Sequence, residues 1–523
     1  MQRYKRIFRI CVIIVLFSFR RQIMSLCIGL LNDSFPPQID GVATAVVNYG
    51  KYLTAHGHTA IVATPFVPDS NDSVYDFPVL RYPSLDTTKM VGYRAGMPFD
   101  AGLVQQLKDS HPDILHSHCP FTSQMLGRTL RANLNVPFIM TYHTKYDVDI
   151  ANAVKSKLLQ EGALKILIDS VDAADEVWTV SRGAGENLKK NGFQRDYIVM
   201  PNGVDFPLGR VSQTLIDEVT GKFSLPEGVP VFLYLGRMMW YKGIRITLDA
   251  LAKVKEAGHD FRMVFVGGGN DKPEIISYTE QLGLSDCVFF DAPIYDREKV
   301  RAWYCRADLF LFPSTFDTNG LVVREAAACA LPSILVAGSC AAEDSEDDVS
   351  SFFIEENADS MAKTLIRLIR QPEAMKRVGK GAQESLYLSW DDAVANAERR
   401  YETVLENYRA GRYPAHKTPD NSFYSGIAAI LDLQNQTALR RQKAMDNIDA
   451  FIGKITKETE WQKRMEDYFA DADWDLPLHI LLSELRRKIH TDERVREGFD
   501  RWNERIQEGK ETLEETAKRF FMD

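Results

Sequence analysis

The amino-acid sequence predicts an α/β protein in which two parallel β-sheets follow one another along the chain. At 523 residues, the chain is too long for one ordinary hydrophobic core. Short apolar segments alternate with amphipathic ones, which is typical of βαβ units. The alternation forms two series, the first beginning with "SLCIGLL" and the second with "PVFLYLGRM". We therefore expect two domains of the same general build.

The elements of both series follow from their residue types. "GVATAVVNYGKYLTAHG" predicts a helix that ends at Gly57 in a left-handed conformation. "SWDDAVANAERRYETVLENYRA" predicts a long helix that begins with a Ser389–Asp392 capping box. The predicted strands of the first series are "SLCIGLL", "HTAIVATP", "DILHSH", "PFIMTYHT", "EVWTVS" and "YIVMPNG", and those of the second are "PVFLYLGRM", "FRMVFVGGG", "CVFFDAP", "ADLFLFPS" and "PSILVAG".

The two ends of the chain differ from the rest. The apolar run near the start is shorter than the ~20 residues of a membrane-spanning helix. We expect an untranslated or disordered extension there, with a membrane-proximal anchor as the alternative. From Gly411 a linker-like stretch leads into charged helical sequence. The predicted parts are an extension at 1–23, a first domain at 24–205, a second domain at 206–388, a long helix at 389–410 and a helical C-terminal extension at 411–523.

Composition excludes several classes of function. The net charge of −9 provides no overall basic surface, which argues against nucleic acid as the main partner. The seven cysteines show no Cys-x-x-Cys spacing. They indicate reduced thiols in a cytoplasmic enzyme, with neither a zinc site nor a disulfide framework.

Two candidate sites for an anion follow predicted strands, where ligands of open α/β sheets bind. Gly41 begins a helix, so free backbone N–H groups and the positive helix end would face an approaching phosphate. Arg237 and Lys242 lie on one loop and could clamp a diphosphate, with two solvated surface cations as the alternative. Neither series has the glycine pattern of a dinucleotide-binding dehydrogenase.

Histidines and carboxylates provide the other candidates. His143 directly follows an apolar strand, where it is either structural or functional, and His116 with His118 lacks a third metal ligand nearby. In "FDTNGLVVREAAACALP", Asp317 lies in a loop and Glu325 lies inside a helix. A carboxylate accepts two hydrogen bonds from neighbouring hydroxyls, which suits a sugar or a ribose diol. The alternative for Glu325 is that it binds backbone amides.

Five motifs occur in order: "GVAT", "TYHT", "PNGVD", "GR" with "KG", and the Asp317–Glu325 segment. With them, residues 25–409 resemble the retaining, nucleotide-sugar-dependent glycosyltransferases of the GT-B fold, a family that includes diacylglycerol and phosphatidylinositol glycosyltransferases. The resemblance implies two Rossmann-like domains facing a cleft, with the helix at 389–410 crossing back to the first domain. It also implies metal-free transfer of a hexose from a nucleoside-diphosphate sugar, a UDP-sugar rather than a GDP-sugar, to a lipid or glycan.

The resemblance assigns a role to each matching residue. Arg237 and Lys242 neutralise the diphosphate, and Glu325 holds the ribose hydroxyls. Asp317 replaces a glutamate that contacts the donor sugar, and His143 faces the same sugar. The predicted catalytic residues are His143, Asp317 and Glu325; the predicted donor-binding residues are Gly41, Arg237, Lys242, Gly320 and Glu325; and no metal ligand is predicted.

Two features bear on partners and activity. "ANAVKSKLLQEGALKILIDS" is a basic amphipathic stretch, which predicts peripheral contact with a membrane, a solvated helix face being the alternative. The loop from Asp344 to Asp348 is acidic, whereas the corresponding loop in the family is glycine-rich. This difference is either tolerated or weakens activity. A nucleotide-sugar epimerase of the same fold, or a non-catalytic relative that acts through its helical tail, are the alternative functions.

Overall fold

The computed structural model describes residues 25–38, 40–88, 93–147, 150, 156–413, 427–436 and 438–439. The extension predicted at 1–23 lies outside these residues. The same holds for the predicted C-terminal extension, apart from residues 411–413, 427–436 and 438–439.

The first sheet has seven strands in the order β3-β2-β1-β6-β7-β8-β9, and all neighbouring pairs are parallel. Its central strands are buried on both faces, which explains their nearly continuous apolar sequences. A separate antiparallel pair, β4 with β5, lies between β3 and the next helix. The strands are β1 (Cys27–Leu31), β2 (Thr59–Pro65), β3 (Val79–Tyr82), β4 (Ser84–Leu85), β5 (Ala95–Gly96), β6 (Ile114–Ser117), β7 (Phe138–Tyr142), β8 (Glu176–Thr179) and β9 (Ile198–Val199).

The described helices of the first domain connect these strands. The first of them begins at Gly41 after Asp40, whose side chain accepts hydrogen bonds from two backbone amides of the first turn. Beyond its end, Gly57 has φ of 89°, the left-handed conformation that the sequence predicts. The helices are α1 (Gly41–Ala55), α2 (Ala101–Asp109), α3 (Thr122–Leu134), α4 (Lys157–Asp172) and α5 (Arg182–Lys190).

The second sheet has six parallel strands in the order β12-β11-β10-β13-β14-β15, so the predicted α/β class with two parallel sheets is confirmed. Its strands are β10 (Val231–Leu235), β11 (Arg262–Val266), β12 (Val288–Asp291), β13 (Leu309–Phe312), β14 (Ser333–Val336) and β15 (Phe352–Ile354). Its helices are α6 (Gln213–Thr220), α7 (Ile244–Glu256), α8 (Lys272–Gln281), α9 (Arg297–Arg306), α10 (Leu321–Ala328), α11 (Ala358–Ile369) and α12 (Pro372–Ser385).

A long helix that follows the second sheet, α13 (Trp390–Arg409), packs on the first sheet. Its N-terminus is capped by Ser389, whose hydroxyl accepts from the amide of Asp392, as the capping box predicts. Further along, Arg400 donates two hydrogen bonds to the carboxylate of Glu176 on β8, at 2.7 and 2.6 Å. After the second sheet, the chain thus returns to pack against the first sheet.

The connection between the two sheets passes close to the start of α13. A Cβ atom added at Gly203 would lie 2.5 Å from the backbone nitrogen of Trp390, so only glycine allows this approach. The amide of Val204 donates to the carbonyl of Leu388 at 2.9 Å. The "PNGVD" turn and the return of the chain are therefore one packed junction.

Candidate active site

Two of the predicted site residues meet at the carboxyl edge of the second sheet. Lys242 lies in a single helical turn after β10, and Asp317 lies in the loop after β13, the neighbouring strand. The Nζ atom of Lys242 donates to Oδ2 of Asp317 at 2.8 Å. Lys242 is only 9% exposed, so this cation is held in place by a charge-assisted hydrogen bond.

Asp317 also shapes its own loop. Its Oδ1 atom accepts from the amide of Gly320 at 3.1 Å, and the amide of Asn319 contacts the same carboxylate. Burial acts to raise the pKa of Asp317, but the charge of Lys242 outweighs it, and the pKa lies below its ordinary value. Gly320 has φ of 60°, where a side chain is strained, and begins α10. Asp317 is therefore ionised, and both of its oxygens are engaged.

Glu325 is buried in α10 and binds two side chains of α9. Its Oε1 atom accepts from Arg297 Nη2 at 2.5 Å, and its Oε2 atom accepts from the Tyr304 hydroxyl at 2.9 Å. Burial raises the pKa of Glu325, and the charge of Arg297 opposes the rise. Arg297 also donates to Asp205 of the "PNGVD" motif at 3.1 Å.

The alternative that Glu325 binds backbone amides is wrong, because both of its oxygens bind side chains. Sequence reasoning did not identify these two partners, since no motif marks α9. The available signal was the spacing of Arg297 and Tyr304, seven residues apart and thus on one face of a helix.

His143 ends a row of three buried histidines. Its Nε2 atom lies 3.0 Å from Nδ1 of His118, and the rings of His118 and His116 are 4.1 Å apart. His116 in turn bonds to the Tyr401 hydroxyl of α13 at 2.6 Å and to Thr141 at 2.7 Å. Burial lowers the pKa of all three imidazoles, that of His143 to about 3, so they are neutral at physiological pH.

A metal site was the alternative interpretation of His116 and His118. Within the described ranges, no group of three or more His, Cys, Asp or Glu side chains is arranged to hold a metal ion. The histidines instead bond to one another, to Tyr401 and to Thr141.

The loop that carries Asp317 joins the two halves of the molecule. The hydroxyl of Thr318 donates to the backbone carbonyl of His143 at 3.0 Å, and the Ser181 hydroxyl donates to the carbonyl of Thr318 at 2.5 Å. Lys145 adds a weaker bond to the carbonyl of Thr315 at 3.4 Å. The structure therefore brings His143, Asp317 and Lys242 into one region, through a threonine that sequence reasoning missed.

Gly41 and Arg237 stand apart from these contacts. Gly41 is exposed at the start of α1, and a Cβ atom added there would have open space around it. The expectation of free amides in this turn is wrong for Val42 and Ala43, because Oδ1 of Asp40 accepts from both, at 2.8 and 2.7 Å. Arg237 is exposed, and its backbone carbonyl accepts from the Tyr234 hydroxyl at 2.8 Å.

The acidic loop makes a second contact between the halves. The carboxylate of Glu343 accepts from the amides of Arg182 and Gly183, at 2.7 and 2.5 Å, at the N-terminus of α5. A carboxylate is stabilised there by the helix dipole. Asp344 binds the side chains of Arg182 and Arg324, at 2.8 and 3.3 Å.

The aspartate at the end of this loop also has cationic partners. Asp348 pairs with Arg367 and Arg377, at 3.3 and 2.9 Å, and both cations act to lower its pKa, which lies below its ordinary value although burial acts to raise it. Two of the carboxylates that the sequence places near an anionic donor, those of Asp344 and Asp348, thus have cationic partners in the fold. Whether the loop weakens activity stays a prediction.

Gly183→Ala is expected to separate the two halves. The added Cβ atom would lie 2.3 Å from Cys340 Sγ and 2.7 Å from Glu343 Oε1, closer than van der Waals contact permits. We expect an increased radius of gyration by small-angle X-ray scattering and an activity at least 10-fold lower. Gly162→Ala is the matched control, because that helical glycine of α4 has open space around it. Unchanged scattering and activity in Gly183→Ala would contradict this contact.

Comparison with known proteins gives matches to both halves. The protein-family model described as "Glycosyltransferase Family 4" matches residues 39–206, and the family model described as "Glycosyl transferases group 1" matches residues 216–385. The chain is 27% identical to an α-monoglucosyldiacylglycerol synthase of Streptococcus pneumoniae over 311 residues, which are 59% of this chain and 70% of that protein. It is 28% identical to a D-inositol 3-phosphate glycosyltransferase of Xylanimonas cellulosilytica over 299 residues, 54% of this chain and 70% of that protein.

Solved structures agree in fold. HepE of Anabaena, crystallised with UDP-glucose, superposes with a TM-score of 0.57 at 18% identity. The superposition covers 73% of this chain and all of HepE. At this level of identity the likeness concerns the fold alone, which is two Rossmann-like domains in the GT-B arrangement.

Proposed function

Because the chain belongs to the group 1 and family 4 glycosyltransferases, we propose that it transfers a hexose from UDP-glucose to a hydroxyl of a diacylglycerol-type lipid, with retention and without a metal ion. The observation that carries the proposal is the loop 315–318. In this loop, Asp317 accepts a hydrogen bond from the Lys242 ammonium. The next residue, Thr318, donates a hydrogen bond to the backbone carbonyl of His143. The buried Lys242 ammonium and the backbone of His143 thereby both contact one loop, which supports a donor site that uses the two residues.

The proposed chemistry uses these groups as follows. The bond between the anomeric carbon and the diphosphate oxygen breaks, and its electron pair stays on the diphosphate. Lys242 stabilises this growing negative charge, with Arg237 as the second cation. Positive charge develops on the sugar. The imidazole of His143 does not repel this charge, because its lowered pKa keeps the ring neutral. The acceptor oxygen attacks the same face of the sugar, and its proton passes to the departing phosphate.

The proposed lipid acceptor rests on the surface of the first domain. Phe66 and Phe121 follow strands β2 and β6, and they are 48% exposed. On α4, Leu159 and Ile166 are 64% and 73% exposed, seven residues apart and thus on one helix face. Lys165 of the same helix would suit an anionic bilayer. The pneumococcal relative named for a glucosyldiacylglycerol product supports this choice.

The placement that we propose is peripheral, on the cytoplasmic face of a membrane. No helix in the part of the chain that the structure describes is long and apolar enough to cross a bilayer. The six described cysteines are free thiols, as a reducing compartment requires.

A transfer assay tests the proposed function. The full chain is incubated with diacylglycerol vesicles, EDTA and either UDP-glucose or GDP-mannose, and the lipid product is analysed by NMR. We expect α-linked glucose on the lipid, no loss of rate with EDTA and a slower reaction with GDP-mannose. A β-linked product would contradict retention, and loss of activity with EDTA would contradict metal-free transfer. Conversion of the nucleotide sugar to its epimer, with no lipid product, would contradict transferase activity.

Replacing apolar side chains of α4 by glutamate is expected to release the protein from membranes. Burying one such side chain contributes roughly 1.5–3 kcal/mol. Leu159→Glu and Ile166→Glu should each lower binding to anionic vesicles at least 10-fold in a co-sedimentation assay. Leu208→Glu is the matched control, since this leucine is 56% exposed but belongs to the connection between the two sheets. Equal effects of all three changes would show that α4 does not form the proposed membrane-binding surface.

A further inference from the structure

Asn319 carries a buried side-chain amide that the described protein leaves without a partner. The residue is only 8% exposed, and both Oδ1 and Nδ2 are buried without a hydrogen bond to any described residue. Native proteins hydrogen-bond most of their buried polar groups, and leaving one unsatisfied costs about 1–3 kcal/mol. A group of this kind in a ligand-binding loop points to a partner that arrives with the ligand.

The loop cannot easily turn this amide elsewhere. Its own backbone N–H contacts the carboxylate of Asp317, and the preceding Thr318 is held from both sides by His143 and Ser181. The following Gly320 has a positive φ, and a Cβ atom added there would lie 3.1 Å from Ala341. The side chain is therefore preorganised by fixed neighbours on either side.

Two hydroxyls near the same sheet edge share this property. Ser314 follows β13 and Ser339 follows β14, the adjacent strand, and the Oγ atoms of both are buried without a partner among the described residues. Amides and hydroxyls are uncharged and both donate and accept hydrogen bonds, which suits sugar hydroxyls better than phosphate oxygens. The oxygens of Asp317, by contrast, already accept from Lys242 and Gly320.

We propose that Asn319 is a specificity-determining residue whose side-chain amide hydrogen-bonds a hydroxyl of the donor hexose. It discriminates between hexoses that differ in configuration at that hydroxyl, while Asp317 positions Lys242 and the loop. This inference rests on the proposed function, because it requires a nucleotide-sugar donor at this site. A site built to hydrogen-bond a hydroxyl rejects donors that lack it, because the buried amide is then left unpaired.

The test replaces the amide by an apolar side chain of similar size, Asn319→Leu, with Asn319→Ala as a second variant. Dissociation constants for UDP are measured by calorimetry, and kcat/KM for donor consumption is compared between UDP-glucose and UDP-galactose, which are epimers. We expect UDP affinity within 2-fold of the wild type and a preference between the epimers that falls at least 10-fold. The melting temperature of Asn319→Leu should not fall, because the buried amide has no partner to lose among the described residues.

The control removes an unpartnered buried hydroxyl elsewhere, Ser351→Ala, and should leave the epimer preference unchanged. Retained preference in both Asn319 variants, equal losses for UDP and the sugar donors, or a lower melting temperature with unchanged preference would each overturn the assignment of Asn319. Failure of the wild type to bind or consume any nucleotide sugar would overturn the proposed function and this inference together. The wild-type measurement therefore separates the two failures.

Discussion

Lys242→Ala is expected to lower kcat for donor consumption at least 100-fold. The ammonium is buried and bonds to Asp317 of the loop after β13, and removing one preorganised group that stabilises developing charge costs about 2.7–4 kcal/mol in the transition state. The same change leaves Asp317 partly buried without its cation, so the pKa of Asp317 should rise. Steady-state kinetics with UDP-glucose, together with urea unfolding, would separate the loss of rate from the loss of stability.

A second lysine of the same domain provides the control. Lys222 donates to Oδ1 of the buried Asp291 at 2.6 Å, so it forms a second lysine–aspartate pair, in which the carboxylate is buried and the lysine is exposed. Lys222→Ala should lower stability without a change in kcat. If both variants lost activity to the same extent, the role of Lys242 in catalysis would be excluded.

Acidification is expected to destabilise the first domain steeply below pH 6.5. Burial lowers the pKa of His116, His118 and His143, so the folded state keeps them neutral while the unfolded chain binds protons near pH 6.5. Their stabilising contribution is complete above pH 6.5 and is lost as the pH falls toward the folded-state value, about 3 for His143. Three protons give a slope of up to about 4 kcal/mol per pH unit.

Urea unfolding at pH 7.5, 6.5, 5.5 and 5.0 measures this slope, with tryptophan fluorescence as the signal. Trp178 reports on the three buried histidines, because its ring centroid lies 4.9 Å from that of His116. His118→Gln should reduce the slope by about a third. His56 is the control: burial acts to lower its pKa, but hydrogen bonds to Asp391 and Glu398 raise it overall. Its contribution is therefore complete below pH 6.5, and His56→Gln should leave the slope below pH 6 unchanged.

The sequence predicts the sheets well because parallel strands that are buried on both faces must be apolar. Strand β3 was not predicted, since "VLRY" contains Arg81. The side chain of Arg81 bonds to Asp72 and to the carbonyls of Pro36 and Pro65, so a charged residue is accommodated in an edge strand. Such compensation depends on loops that are distant in sequence and is invisible in a single segment.

The proximity of Lys242 to Asp317 was predictable, whereas the other bonds of the candidate site were not. Strand ends placed Lys242 and Asp317 near each other, because the carboxyl ends of neighbouring parallel strands share one edge. The partners of Glu325 come from a separate helix, and the contact of Glu343 with α5 joins segments about 160 residues apart. The first pairing depends on how α9 packs against α10 within the second domain, and the second depends on how the two halves meet.

The hydrogen bonds between the two halves have a consequence for turnover. The described contacts from Thr318, Ser181, Lys145 and Glu343 are hydrogen bonds of roughly 0.5–1.5 kcal/mol each. The five bonds, two of which Glu343 accepts, sum to only a few kcal/mol, so an open form should be populated in roughly the 0.1–10% range. Entry of substrate and escape of product would then require no unfolding. Dissolved ions, by screening Asp344 from Arg182, would speed the opening.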